Sequence, residues 1–475
     1  MKISEIEPKL VMKYFEEICR IPHGSGNTKQ ISDYCARFAE DHGYKYIQDN
    51  LNNIIIFCPA TKGYEASEPV IMQGHLDMVC DKESWKDIDM SKEGVTPIVY
   101  GDFIKADGTT LGSDDGIAVA YTLAIMASSD IDHPPIEAVF TVDEEVGMGG
   151  ASGLDVSALK GRIMLNIDSE AEGILTVSCA GGANARCSIP IERSAANGYT
   201  YEIIIDGLIG GHSGMEINSM RANANILMGR LLYAVKDKIR IVSLSGGVKG
   251  NAIAQSAKAR IIADSDISGI AAEYENIFKN EFSVTDANIR VSCIKVSDEP
   301  QSAVTADGSR KIAAYLMSAP NGIYAMSADI DGLVQTSLNL GILKLENDEM
   351  TAEYTIRSSV GTQKQWIINM LTAVTESLGG KITISGSYAE WEYRKESRLR
   401  ELMRDVYIEM YGAEPKIEAI HAGVECGIFA GKLPGLDCVS FGPDLLEIHT
   451  VRERMNIASV QRVWKYIIEI LKRLK

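Results

Sequence analysis

Apolar positions recur in two alternating textures over the first third of the chain. Lys9–Ile21 carries them at helical spacing, Asn53–Cys58 and Val70–Val79 form short apolar runs, Ile117–Ala127 is helical in length, and Glu137–Val142 and Arg162–Ile167 are runs again. Short runs read as strands and longer periodic stretches as helices. Their alternation predicts an α/β sheet. In the segment Gly112-Ser-Asp-Asp-Gly116, Asp and Ser side chains are placed to accept the free N–H groups of the helix that follows.

Around Cys179-Ala-Gly-Gly-Ala-Asn184 the glycines mark a break. Beyond it come strands rich in Ile and Val and helical stretches such as Asn223–Val235 and Gly308–Ser318, which predict a second, α+β domain. The charged segment Tyr388–Ser397 leads into helical Arg398–Met410, and the short apolar piece Asp437–Pro443 precedes His449. Val460–Leu474 closes the chain as a helix with basic residues at its end, where the helix dipole favours them.

Composition narrows the class. A chain of 475 residues with 45% hydrophobic content exceeds one core and can build two. Its 47 Lys+Arg against 65 Asp+Glu give a net charge of -18, which disfavours nucleic acid and anionic membranes as partners. The start Met1-Lys-Ile-Ser-Glu lacks the apolar stretch of a signal peptide, and no run of about 18 apolar residues could span a bilayer. A cytoplasmic protein is expected. Nine scattered cysteines without a C-x-x-C pair read as reduced, mostly buried thiols, so any metal must be held by His and carboxylate.

The acids supply the candidate chemistry. Glu144 and Glu145 end the run Ile136–Val142, and such a pair can give one carboxylate to a metal and leave the other as a base. His75 and Asp77 lie two apart in a predicted strand, on one face, so that Asp77 can orient His75 or the metal's surroundings. Asp114, Asp115 and Asp168 stand at further element ends, and in α/β sheets the carboxyl ends of strands gather at one crevice. Counted as ligands, His75, Asp114, Glu145, Asp168 and His449 offer two imidazoles and three carboxylates. That set suits two divalent ions such as Zn²⁺, Mn²⁺ or Co²⁺, about 3.5–4 Å apart, with one carboxylate and a water between them. Converging carboxylates without cations would repel one another and take up protons.

The strings Gly74-His-Leu-Asp77, Gly112-Ser-Asp-Asp-Gly116, Asp143-Glu-Glu-Val-Gly147, Asn166-Ile-Asp-Ser-Glu170 and Phe441-Gly-Pro through His449 resemble, in order and spacing, the M20 family of co-catalytic zinc peptidases. Within it, Ser178-Cys-Ala-Gly-Gly182, Gly210-Gly-His-Ser-Gly214 and His421-Ala-Gly-Val-Glu-Cys-Gly427 are similar to the aminoacyl-histidine dipeptidase branch. The resemblance runs over nearly the whole chain. It implies a zinc-peptidase-like α/β catalytic domain of about 1–181 plus 386–475, with an α+β lid of about 182–385 inserted and used for homodimerisation.

The resemblance also assigns roles. Asp114 bridges two metals, His75 and Asp168 complete one site, and Glu145 and His449 the other. Glu144 is the general base acting on a metal-bridged hydroxide, Asp77 stands behind His75, and Asp115 is structural. His212 would reach from the lid into a partner's active site to stabilise the oxyanion, although a glycine-flanked His can equally be a plain turn residue. Arg357 would clamp the substrate's C-terminal carboxylate, with Asn339 in the same pocket. Glu425 and His421 would meet the free amino end, unless Glu425 is simply satisfied within the fold. The implied substrates are unblocked dipeptides, including Xaa-His and β-alanyl-histidine, with a tripeptidase, aminopeptidase or N-acyl amino acid deacylase as alternatives. His42 and His133 read as surface residues.

Overall fold

A computed structural model describes residues 2–297, 299, 301–346 and 348–475. They divide into two compact units. The first comprises the chain as far as Ser178 together with Tyr393–Ala419 and Val424–Lys475; the second is Cys179–Glu392 with Ile420–Gly423. The boundaries fall at 178 and 392, where the family resemblance implied about 181 and 385, and residues 420–423 belong with the second unit.

In the first unit, four parallel strands lie in the order Ile136–Thr141, Val70–His75, Ile163–Asn166, Asp437–Ser440. Antiparallel Ile54–Cys58 and Lys45–Gln48 extend one side, and Ile174–Cys179 followed by Lys416–Ile420 the other. Covered on both faces, the parallel strands are nearly continuous in apolar residues, with Val70, Ile71, Met72, Ala138, Phe140, Met164 and Leu165 all buried. The register sets His75 beside Thr141, and Asn166 beside both Gln73 and Ser440. The parallel strands therefore finish nearly level, and the segments leaving their carboxyl ends share one crevice.

The helix Ser113–Ala127 is buried along almost its whole length and packs against Val70–His75. Gly74 permits that approach, since a Cβ there would stand 2.5 Å from Asp115 Oδ2 and 2.7 Å from Ala118 Cβ. The start of this helix departs from expectation. No local side chain caps it, Asp114 and Asp115 have non-helical dihedrals, and the peptide between them is cis. Its amino end is served instead by Glu453, which lies 340 residues away from Ser113.

The strand through His75 also stops at that residue and does not run on to Val79, so Asp77 lies beyond it. His133 is a second correction. It is only 2% exposed, because its N–H donates to Thr61 Oγ1 (2.8 Å) and its ring sits against the Pro134 carbonyl (2.7 Å). The closing helix spans Ile457–Arg473, capped by Asn456 and ending in Lys472 and Arg473.

In the second unit an antiparallel sheet runs Arg290–Ser297, Tyr199–Asp206, Ala257–Ala263, Ile239–Gly246, Val334–Glu346, Glu349–Ser358, Gly181–Pro190, Lys381–Tyr388. Helices Ala224–Val235, Ser268–Glu281, Ala306–Ser318 and Gly361–Ser377 supply Leu227, Leu231, Phe278, Ile312, Leu316, Ile367 and Leu371 to its core. Among the described residues no helix is long and apolar enough to cross a membrane.

Candidate active site

The crevice of the first unit collects every ligand candidate. His75 ends its strand, Glu144 and Glu145 open the turn after Ile136–Thr141, Asp168 follows Ile163–Asn166, and His449 stands beyond Asp437–Ser440. Asp114 arrives from the irregular first turn of the apolar helix. Its two oxygens face different imidazoles: Oδ1 is 3.1 Å from His75 Nε2, and Oδ2 is 3.0 Å from His449 Nε2. Asp168 Oδ1 lies 3.6 Å from His75 Nε2, and Glu145 Oε2 lies 2.9 Å from His449 Nε2. Two donor sets result, His75 with Asp114 and Asp168, and Asp114 with Glu145 and His449. In each, the donor atoms all lie within 4.8 Å of one another.

Supporting bonds aim these donors. His75 Nδ1 is 2.9 Å from the Asp77 carbonyl, so a proton held there leaves Nε2 bare toward the cluster. The Asp77 carboxylate sits 3.5 Å from the same nitrogen and accepts hydrogen bonds from Ser25 Oγ (2.8 Å), Glu144 N (3.1 Å) and Glu145 N (3.4 Å). Asp77 therefore holds the Glu144–Glu145 turn as well as the imidazole. This second task follows from its position past the strand. Asp115, buried, accepts from His75 N (3.2 Å) and fixes the strand end to the helix.

Hydrogen bonds to Asp114 and then Glu145 push His449 up to about 10. Burial pulls His75 down, yet its bonds to Asp114, Asp168 and Asp77 outweigh that and hold it well above its ordinary value. Burial, opposed by His75 and reinforced by the Asp168, Glu425 and Glu145 carboxylates, raises Glu144 to about 8. In the bare chain, protonated imidazoles and a protonated carboxyl thus stand in for cations. Glu145 Oε1 is buried with no hydrogen-bond partner. Two imidazoles, three carboxylates and an orphaned buried oxygen fit a pair of divalent ions.

Glu425 joins this crevice. It is fully buried, its Oε2 accepts from Gln73 Nε2 and Thr141 Oγ1 (both 2.6 Å), and its Oε1 has no partner. Gln73 in turn accepts from Asn166. Gln73, Thr141, Ser25 and Glu453 carry no motif of their own and were not singled out from the sequence. Gln73 alone had a signal, two residues before His75 on the same strand.

The remaining candidates form a cluster in the second unit. Arg357 ends the strand Glu349–Ser358, donates to Tyr388 Oη (3.1 Å), and keeps a buried, unpartnered Nε. A Cβ on Gly214 would lie 2.9 Å from the His421 carbonyl and 3.0 Å from that Nε, so the loop carrying His212 passes directly over both residues. His421 is buried, bonded through Nε2 to Ser337 Oγ (2.7 Å), and has an unpartnered Nδ1. Burial and then Arg357 push it down to about 4, so it is neutral. A neutral imidazole beside a guanidinium suits a carboxylate, and Arg357 would repel an amino group there. This pairing favours a carboxylate contact for His421 over the amino-end contact expected of it.

His212 pairs with Ala252 in a two-residue bridge. Its Nδ1 accepts from Gly214 N (3.3 Å) and Met215 N (3.2 Å), which leaves the proton on Nε2, and burial lowers its pKa. Asn339 departs from its expected role. Its amide is spent on Asn223 Nδ2 (3.0 Å) and the Ala252 carbonyl (2.9 Å), behind the strand that pairs with His212. A cleft of about 560 Å³ opens beside Arg357, lined also by Asn184, Arg186, Asn251, Thr355 and Tyr388. Asn339 is not among its described lining residues.

A mixed α/β sheet with two imidazole–carboxylate donor sets sharing one aspartate, at the carboxyl ends of its parallel strands, is the construction of a metallohydrolase. Residues 71–473 match the family described as Peptidase family M20/M25/M40, and the chain belongs to it. It is 34% identical to the cytosol non-specific dipeptidase of Escherichia coli, over 100% of this chain and 99% of that protein. Its structure is similar to that of an aminoacylhistidine dipeptidase from Vibrio alginolyticus, with a TM-score of 0.95, 36% identity, and coverage of 100% and 98%. The aminopeptidase PepT of Bacillus cereus shares the fold, with a TM-score of 0.57 at 14% identity over 99% of each chain.

Proposed function

We propose that this chain is a dipeptidase working with two divalent ions, Zn²⁺, Mn²⁺ or Co²⁺, that hydrolyses unblocked dipeptides, Xaa-His and β-alanyl-histidine among them. The observation that carries the reading is Asp114, whose two oxygens are divided between His75 and His449. Full-length similarity to proteins named as dipeptidases supports the substrate class.

His75 and Asp168 would hold one ion, Glu145 and His449 the other, and Asp114 would serve both. Bound there, the ions would supply polarisation of the scissile carbonyl and acidification of the attacking water. Glu144, kept beside Glu145 by the Asp77 carboxylate, takes the proton of the attacking water and delivers it to the leaving amine. His212, neutral with its proton on Nε2, donates to the oxyanion. Arg357 and His421, each with an unpartnered buried nitrogen, receive the terminal carboxylate, and the unpartnered Glu425 Oε1 receives the free amino group. The second unit acts as the lid of a cytoplasmic homodimer in which His212 serves the partner's site.

The test is product analysis with β-alanyl-histidine, α-dipeptides, tripeptides and acylated amino acids, with and without each metal, beside Glu144→Ala. Cleavage of dipeptides in preference to the others is expected, and a preference for tripeptides or acylated amino acids would replace the dipeptidase reading. A Glu144→Ala enzyme as fast as the parent would remove the base assignment. Mixing His212→Ala with a metal-site variant should restore part of the activity; no recovery would argue against service across subunits.

A further inference from the structure

We propose that Glu453 is the positioning residue for the shared aspartate, holding the segment before Asp114 in place so that both Asp114 oxygens are left for ligation. The proposal rests on Asp114 bridging two ions. Glu453 is 3% exposed, and its carboxylate accepts four hydrogen bonds. Oε2 takes Leu111 N (2.7 Å) and Gly112 N (3.1 Å), and Oε1 takes Ser113 N (2.8 Å) and Ser113 Oγ (2.6 Å). Every one of those donors lies within three residues of Asp114.

The local chain gives Asp114 another option. An aspartate in a helix's first turn is drawn to the free N–H groups there and to the positive end of the dipole. If Asp114 turned to cap its own helix, it would lose an oxygen to the backbone. Glu453 takes the Ser113 N–H of that turn and the two N–H groups just before it, of Leu111 and Gly112, and so fixes the segment from which Asp114 projects. Gly112, with a φ of 73°, lets the segment bend so that three successive N–H groups face one carboxylate.

Glu453 also links the segments that carry two of the candidate ligands. It lies four residues after His449, in a turn closed by its N–H on the Thr450 carbonyl (3.0 Å). The next residues, Arg454–Asn456, pair with Phe103–Ala106, the strand that leads into the Asp114 segment. One carboxylate therefore ties the segment bearing His449 to the segment bearing Asp114.

The test is stepwise Co²⁺ titration of the metal-stripped full-length chain, read by visible absorption, by the spin-coupled electron paramagnetic resonance signal of a bridged pair, and by isothermal titration. The parent should take up two ions. Glu453→Gln keeps the shape but turns an amide toward N–H donors. Its affinity for the second ion should fall about 10–100-fold, with the coupled signal reduced. Glu137→Gln is the control, since Glu137 is a buried carboxylate that likewise accepts backbone N–H groups, from Lys160 and Gly161 (2.9 and 3.0 Å). It should leave both ions in place even if it lowers stability.

Two ions bound by Glu453→Gln with the parent's affinity and spectrum would overturn the positioning role alone. A parent that binds fewer than two would overturn the dinuclear reading with it. If Glu453→Gln fails to fold, Ser113→Ala removes one of the four bonds and is read the same way, an unchanged coupled signal again overturning the proposal.

Discussion

Loading the metal-free chain with two divalent ions at pH 7 should release about two protons, one from each ligand imidazole. His449 is pushed up to about 10 by its bonds to Asp114 and Glu145, and His75 is held well above its ordinary value against the pull of burial. Both carry a proton at pH 7 that ligation must displace, because only neutral imidazole binds a metal. Glu144 and Glu425, each raised to about 8 chiefly by burial, are largely protonated at that pH and can add up to about one proton apiece as positive charge arrives. Release is counted with an indicator dye in weak buffer, or by calorimetry in two buffers of different ionisation enthalpy. The sign for stability follows from the same groups. A histidine whose folded pKa is raised from 6.5 to about 10 stabilises the metal-free fold fully below about pH 6.5, and that contribution is lost as pH rises through about 10. The melting temperature of the metal-free chain should therefore fall across that window, and His449→Ala should lower the release by about one proton. A release well below one proton per chain at pH 7 would mean the imidazoles are already neutral and would refute this account of the cluster.

Three further outcomes are expected. Glu144→Gln should retain both ions by elemental analysis while kcat falls about 10²–10⁴-fold; an unchanged kcat would remove the base. Arg357→Ala should raise KM for free dipeptides about 10–100-fold, through loss of charge-assisted bonds worth about 1.5–3 kcal/mol, and should barely change KM for C-terminally amidated ones. Equal losses on both would exclude the carboxylate role. Gly74→Ala places a Cβ 2.5 Å from Asp115 Oδ2 and 2.7 Å from Ala118 Cβ. It should cost about 1–3 kcal/mol in denaturant unfolding and weaken metal binding, because Asp114 moves with the helix; a parental midpoint would count against that close approach.

Much of the candidate ligand set was legible in the sequence because it hangs on strand ends, and apolar runs mark strands well. His75 lies within, and Glu145 and Asp168 follow, a run whose boundaries are off by only a few residues. What escaped was long-range hydrogen bonding, which leaves no period in the chain. Asp77 was placed on a strand that ends two residues earlier, so its grip on the Glu144–Glu145 turn was invisible. The helix at Ser113 was given a local cap because Ser and Asp stood there, while the donors are satisfied by Glu453. Asn339 and His421 were read from the family resemblance alone. Their actual partners, Ala252 and Ser337, come from other parts of the sequence.

The same bonds explain how the fold tolerates so many acids in one crevice. Asp114, Asp115, Glu144, Glu145 and Asp168 converge, and without ions their repulsion is relieved only by protons on imidazoles and carboxyls. Asp77 and Glu453 are further buried carboxylates at the site's edge, yet each is surrounded by N–H and O–H donors and so adds rigidity with little added repulsion. Such a site is preorganised for cations by its supports and under tension from its ligands. Ions that bind the native crevice and not the unfolded chain must then stabilise the fold in proportion to the logarithm of their concentration over Kd. Ion binding and folding would thus be coupled through residues scattered from Asp77 to Glu453, since the last strand and His449 come after the second unit in sequence and return to the first.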